Sequence, residues 1–212
     1  MVIVVDCGDD VQHYAATFAT HPLPRPPSCP SCSASGALIG HGSYPRTVAH
    51  PTQITPIRIR RLLCTACHHT VSLLPSFCLP WRHYASRTVQ TVLTLRVEAH
   101  ASWSRIAARF APADLPTRTS CREWVGAFVH ASTRYLPALL QHLAQWSSDS
   151  SAIEVTLADL GERHDPPAQL VAALPHLLVA LREAGVHVAN GSERWLATLW
   201  QWGNGRKLGR VI

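Results

Sequence analysis

Four cysteines carry the most specific chemistry in this chain. They fall in two pairs of identical spacing, Cys29-Pro30-Ser31-Cys32 and Cys64-Thr65-Ala66-Cys67. A C-x2-C knuckle turns the backbone so that two thiolates face one point. Two knuckles surround a tetrahedral zinc ion at roughly 2.3 Å from each sulfur. Four thiolates fill the coordination sphere, so the spacing predicts one structural Zn2+ with no open position for a substrate. Four unrelated buried thiols have no reason to fall at two matched spacings. Cys7, Cys78 and Cys121 lack such partners and read as small core residues. His41, His68 and His69 read as surface groups or as supports outside the thiolate set.

The second chemical signal is charge. Residues 25–134 hold thirteen Arg against Glu98, Asp114 and Glu123, a net +10, whereas residues 1–24 hold three acids and no Lys or Arg. Residues 135–212 are close to neutral, with six basic and seven acidic groups. A zinc centre with four thiolates carries about −2, which leaves the middle of the chain strongly positive. A focused basic segment is the electrostatic footprint of a polyanion-binding protein.

These residues need elements to hold them. Val2 to Val5 reads as a short strand, and residues 9–18, with Val11, Tyr14, Ala15 and Phe18 at helical spacing, as a short helix. Pro22, Pro24, Pro26 and Pro27 make a linker. Residues 37–42 and 43–48 read as two short strands around glycines. Ile54 to Leu62 alternates apolar and polar residues, which puts Ile57 and Ile59 on one face and Arg58 and Arg60 on the other before delivering Cys64 to the metal. Residues 68–74 read as the return strand. Ser86 can cap a helix that turns Val89, Val92, Leu93 and Val97 inward. Residues 102–110 make a short second helix with Trp103, Ile106, Ala107 and Phe110 as its apolar face. After a break at residues 111–116, a third helix starts near Thr117 to Ser120, capped by Ser120 with Glu123 or by Thr117 or Thr119.

The third helix turns Cys121, Trp124, Val125 and Phe128 inward and leaves Arg118, Thr119, Ser120 and Arg122 outward near its start. That is the arrangement of a recognition helix, with the preceding helix against the phosphate backbone. Arg122 suits guanine edges, Thr119 and Ser120 suit phosphate or base, and Arg105 and Arg109 suit phosphate. Arg58, Arg60 and Arg61 suit a phosphate grip along the strand. Trp103 and Trp124 read as core.

The order Cys-Pro-x-Cys, Gly40-His41-Gly42-Ser43-Tyr44-x-Arg46, Ile59-Arg60-Arg61-x-x-Cys64-x-x-Cys67-x-x-Thr70, Leu74-Pro75 and Ser102-Trp103-x-x-Ile106-Ala107-x-Arg109-Phe110 with Trp124 resembles a known group. It is similar to the zinc-ribbon plus helix-turn-helix proteins found with bacterial insertion sequences, over roughly residues 25–130. Similar modules form the N-terminal DNA-binding part of some transposases. The resemblance implies a double-stranded DNA-binding role in or near mobile elements, in the bacterial cytoplasm and associated with the nucleoid. Those transposases continue into a catalytic domain with three metal-binding carboxylates, for which this sequence offers no equivalent.

The expected fold class is α+β: a small zinc ribbon of short antiparallel strands, then a helix-turn-helix, then a C-terminal helical region. The expected segments are 1–24 as an accessory leader, 25–80 as ribbon, 81–131 as helix-turn-helix and 132–212 as the helical region. In the last, Leu136, Leu139, Leu140 and Leu143 mark one helix ending at a joint over residues 147–151. Leu170, Leu174, Leu177, Leu178 and Leu181 mark another, and residues 192–202 a third. Asp149, Glu154, Asp159, Glu162 and Asp165 read as a solvated face. These helices are expected to mediate self-association or to recruit a transposase or recombinase. No apolar run reaches the roughly 18–20 residues of a membrane span, and the acidic N-terminus is unlike a signal peptide. No nucleophile–base pair, phosphate loop or open metal site points to an enzyme. Two other readings share these features, a transcriptional regulator of the same architecture and a zinc-ribbon protein-interaction adaptor.

Overall fold

The computed structural model describes residues 1–8, 10–20, 25–50, 53–111, 115–146, 165–171, 174, 195–205 and 208. The chain divides into two compact units, Met1–Ser86 and Arg87–Ile212.

The first unit is built on a four-stranded sheet. Strands β1 (Val2–Val5), β2 (Leu38–His50), β3 (Gln53–Cys64) and β4 (Thr70–Pro75) lie in the order β1-β4-β3-β2. β2 runs antiparallel to β3, with Leu38 opposite Cys64 and His50 opposite Gln53, and β4 runs antiparallel to β3. β1 is parallel to β4, from Val2 opposite Ser72 to Val5 opposite Pro75. The sheet is therefore mixed, not purely antiparallel. Its fourth strand comes from the segment expected to be an accessory leader, brought in from far away in sequence, and a parallel neighbour requires such a long crossover.

β2 is one strand of thirteen residues where two short ones were expected. The pairing register shifts between Gly40 and Ser43, and Gly42 takes a φ of 76°. Glycine adopts that left-handed conformation at little steric cost, so the irregularity is absorbed as a bulge and the strand continues.

Helix α1 (Val11–Thr17) starts at Asp10, whose carboxylate accepts the His13 N–H at 2.9 Å. Its buried Tyr14 donates its hydroxyl to the Arg58 carbonyl at 2.9 Å and meets Phe77 edge-on with ring centroids 5.4 Å apart. The period-2 alternation of β3 serves two cores. Ile57 and Ile59 join Val11, Tyr14, Val48, Leu74 and Phe77 in one, while Leu62 joins Val5, Leu38, Val71 and Leu73 in the other, together with Cys29 and Cys64.

The second unit is helical. α2 (Ser86–Val97) buries Val89, Val92, Leu93 and Val97 as its spacing predicts. Ser86, expected as a cap, donates its hydroxyl to the Ser76 carbonyl at 3.2 Å. α3 (Trp103–Phe110) is capped by Ser102, which accepts the Arg105 N–H at 3.3 Å. It buries Ile106 and Phe110 but leaves Ala107 exposed. α4 (Arg118–Trp146) is one helix of 29 residues that carries Pro137 in its interior, so it runs across the boundary expected at residues 131 and 132. Thr117 caps it, accepting the Ser120 N–H at 3.2 Å. Proline removes one backbone bond. Tyr135, Leu136 and Leu139, all buried around it, hold the helix by packing.

α5 (Trp195–Gly205) is apolar nearly all round: residues 195–200 are all buried, which marks a core helix. The Leu196 N–H in its first turn donates to the Gln90 side-chain oxygen at 3.4 Å. Trp195 packs on Phe128 and Trp202 on Tyr135. Leu170, within a helical stretch over residues 166–171, and Leu174 are buried. Asp165 is exposed and accepts the Ala168 N–H, which makes it a cap. Leu177, Leu178, Leu181, the joint at 147–151 and the other carboxylates of the expected solvated face lie outside the described residues, as does the side chain of Leu143. No described helix is long and apolar enough to cross a membrane.

Candidate metal centre

The two knuckles converge. All four cysteine sulfurs lie within 4.8 Å of one another, and none of the seven cysteines is in a disulfide. Cys29 Sγ stands 3.8 Å from Cys67 Sγ and Cys32 Sγ stands 3.7 Å from Cys64 Sγ. A tetrahedron with metal–sulfur bonds of roughly 2.3 Å has edges of ~3.8 Å. A disulfide would bring two sulfurs to ~2.05 Å. The spacing is that of a metal tetrad, and these four residues can hold one ion.

The backbone explains how. In the first knuckle the Ser33 N–H donates to the Cys29 carbonyl at 2.8 Å and the Cys29 N–H donates to the Ala34 carbonyl at 3.0 Å. In the second the His68 N–H donates to the Cys64 carbonyl at 2.9 Å and the Cys64 N–H donates to the His69 carbonyl at 3.0 Å. The second knuckle is tied to the chain that leaves the first, since the Thr65 N–H donates to the Ala37 carbonyl at 2.8 Å. Cys29 and Cys64 are buried, Cys67 is half-buried and Cys32 is exposed, so the site sits at one end of the sheet with one corner facing solvent.

Electrostatics favour a cation there. The backbone N–H groups of Cys32 and Ser31 point at Cys29 and hold its thiol down at about 6. The Ala34 N–H acts on Cys32 in the same direction, but the neighbouring sulfurs of Cys67, Cys64 and Cys29, with burial, push it up to about 12. Sulfurs this close cannot all ionise unless a positive charge sits between them. Cys78 and Cys121 are held protonated by burial, at about 12 and about 11, and are core residues. His41, His68 and His69 are exposed.

Residues 29–108 match the model of a domain of unknown function, DUF6431. The match starts at the first cysteine of the tetrad, takes in both knuckles and ends within α3. No curated protein and no solved structure matches the chain.

The basic residues divide into two groups. Arg58 is exposed, with its guanidinium hydrogen-bonded to the Ser43 hydroxyl at 2.9 Å. Arg60 is half-buried: it donates to the Phe18 carbonyl at 2.5 Å and stacks 5.0 Å over the Phe18 ring. Arg61 is half-buried and donates to the Thr70 hydroxyl at 3.2 Å. Arg60 is thus engaged in packing in the first unit, Arg61 is half-buried with one hydrogen bond, and Arg58 is the most exposed of the three.

Arg105, Arg109, Arg118, Thr119 and Arg122 are exposed, and Ser120 is half-buried with its hydroxyl 3.0 Å from that of Thr117. Trp124 is buried as expected. Trp103 is only half-buried, with the guanidinium of Arg96 5.0 Å and that of Arg122 5.6 Å from its ring centroid. It is a platform for arginines more than a core residue. Residues 111–117 connect α3 to α4, longer than the 3–4-residue turn of a tight helix-turn-helix.

Sequence reasoning missed Ser33 and His68, which take left-handed φ values of 61° and 58° to close the knuckles. Their place four residues after a knuckle's first cysteine was the available signal.

Proposed function

We propose that this protein is a zinc-stabilised, double-stranded DNA-binding protein that recognises mobile-element DNA and acts in transposition through a partner that supplies the catalysis. The reading rests on one observation: Arg105, Arg109, Arg118, Thr119 and Arg122 are all exposed on consecutive helices, with Arg122 over the Trp103 ring. A guanidinium steadied by an aromatic face loses less freedom when it meets a guanine edge, and a bidentate contact of that kind is the commonest specific one in the major groove. On this reading the first two turns of α4 enter the groove and Arg105 and Arg109 grip phosphate, while Arg58 on β3 is a phosphate contact of the first unit. Zn2+ on Cys29, Cys32, Cys64 and Cys67 is structural. The resemblance of residues 25–130 to insertion-sequence proteins supports the mobile-element assignment. The C-terminal helices would serve self-association or docking of a transposase or recombinase.

The test is fluorescence anisotropy of the full chain, purified with zinc, over a salt series. Duplexes from the flanks of its gene and from nearby repeat ends would be compared with random duplex. Tight binding with a steep salt slope and a preference for the repeat ends is expected. Salt-insensitive or absent binding overturns the reading.

A further inference from the structure

Residues 79–82 form a turn closed by the Arg82 N–H on the Leu79 carbonyl at 3.3 Å. Pro80 and Trp81 are its two central residues, and Trp81 has a φ of 58°. Proline first and a positive φ second is the pattern of a type II turn, whose second place belongs to glycine. A tryptophan there is strained, because its Cβ crowds the following carbonyl. It is also 63 % exposed.

The surrounding structure holds this strained residue in place. Arg46 donates to the carbonyls of Leu79 and Arg82, the Ala49 N–H donates to the His83 carbonyl at 2.6 Å, and the Ala85 N–H donates to the Ala49 carbonyl at 3.0 Å. Strain maintained by such a network is characteristic of a functional position. Trp81 lines a cleft of about 410 Å3 together with Val2, Tyr44, Leu74, Arg82 and His83. Two aromatic residues, two aliphatic ones, an arginine and a histidine in one lining match in chemistry a stacked base and its phosphate.

We infer that this cleft binds an unpaired nucleotide of a nucleic-acid strand, with the base stacked on Trp81 and the phosphate against Arg82 and His83. The inference rests on the nucleic-acid reading above and deepens it. The α3–α4 face of the second unit takes duplex, and the Trp81 cleft of the first unit takes an unpaired nucleotide.

The test uses the full chain and fluorescein-labelled oligothymidine of roughly ten nucleotides, an abasic strand of the same length and a random duplex. Trp81→Gly places the favoured residue at the strained position, so its melting temperature should not fall. Its affinity for oligothymidine should drop on the order of tenfold, Trp81→Phe should keep most of it, and the abasic strand should bind the wild type on the order of tenfold more weakly than oligothymidine. Duplex affinity should be unchanged in both variants. Equal oligothymidine binding by wild type and Trp81→Gly, or equal binding of abasic and thymidine strands, overturns the inference. Duplex binding without oligothymidine binding overturns it alone. Oligothymidine binding without duplex binding leaves it standing and removes the duplex reading.

Discussion

Ser33 and His68 occupy the same position in two knuckles that differ in sequence. Each lies four residues beyond the first cysteine of its pair, their φ values are 61° and 58°, and each donates its N–H to that cysteine's carbonyl. Neither is glycine, so each knuckle closes against a backbone conformation that L-residues rarely adopt.

Replacing Ser33 or His68 by glycine should therefore stabilise the zinc-bound protein. The relief of the left-handed conformation exceeds the entropy lost by glycine, for a net gain of about 0.5–1 kcal/mol per site. Replacement by valine, which is β-branched and disfavours positive φ, should cost more than 1 kcal/mol. Thermal melting of the wild type and the two variants at each site, with zinc present, gives the order; valine more stable than glycine would contradict the knuckle geometry.

Metal content follows from the tetrad. One equivalent of zinc should copurify, and a chelator should expose the thiols of the first unit, the tetrad among them, to a thiol reagent while Cys121 of the second unit stays protected by burial. Zinc binds the thiolate form. Cys32, held up at about 12, must give up a proton on binding at any working pH. Zinc affinity should thus rise with pH, about tenfold per pH unit for that proton alone. Below about 6 Cys29 also protonates and the dependence steepens. Competition titrations between pH 5.5 and 8 that show pH-independent affinity would sink this account. Cys64→Ser, at a fully buried ligand, should unfold the first unit.

The arginines make separable predictions. Arg122→Ala should weaken binding to the preferred duplex by about 1–3 kcal/mol and relax one base preference. Arg58→Ala should weaken all duplexes alike and lower the salt slope by about 1. Arg60→Ala should act on the fold, since its guanidinium holds the Phe18 carbonyl and ring, with a loss of about 1–2 kcal/mol in melting experiments. Equal losses on preferred and random DNA for Arg122→Ala would remove the recognition role of α4.

Gly203 tests the helical unit. A Cβ built there would sit 2.3 Å from the Tyr135 hydroxyl oxygen, and Tyr135 is fully buried and unable to swing aside. Gly203→Ala should destabilise the protein by about 1–3 kcal/mol, against the stabilisation alanine normally brings to a helix. A rise in melting temperature would mean that α5 does not pack on α4 as described.

The sequence by itself determined the parts that depend on near neighbours. Two-residue cysteine spacing sets two knuckles, because only that spacing lets adjacent thiolates face one point. The i, i+3, i+4 stripes set α2 and the buried faces of Trp124 and Phe128, and alternation along β3 set Ile57 and Ile59 inward. Only the tertiary structure decided what depends on residues far apart. β1 joined β4 in parallel because its partner lies some seventy positions away, from Val2 to Ser72, and no local pattern records strand orientation. α4 kept its helix through Pro137 because buried neighbours outweigh the lost backbone bond. Arg60 looked like Arg58 along the strand, but the end of α1 reaches over it and turns a surface charge into a packing group. Trp81 was unremarked in sequence, since its left-handed turn and the cleft beside it exist only once Arg46 reaches across to the carbonyls of Leu79 and Arg82.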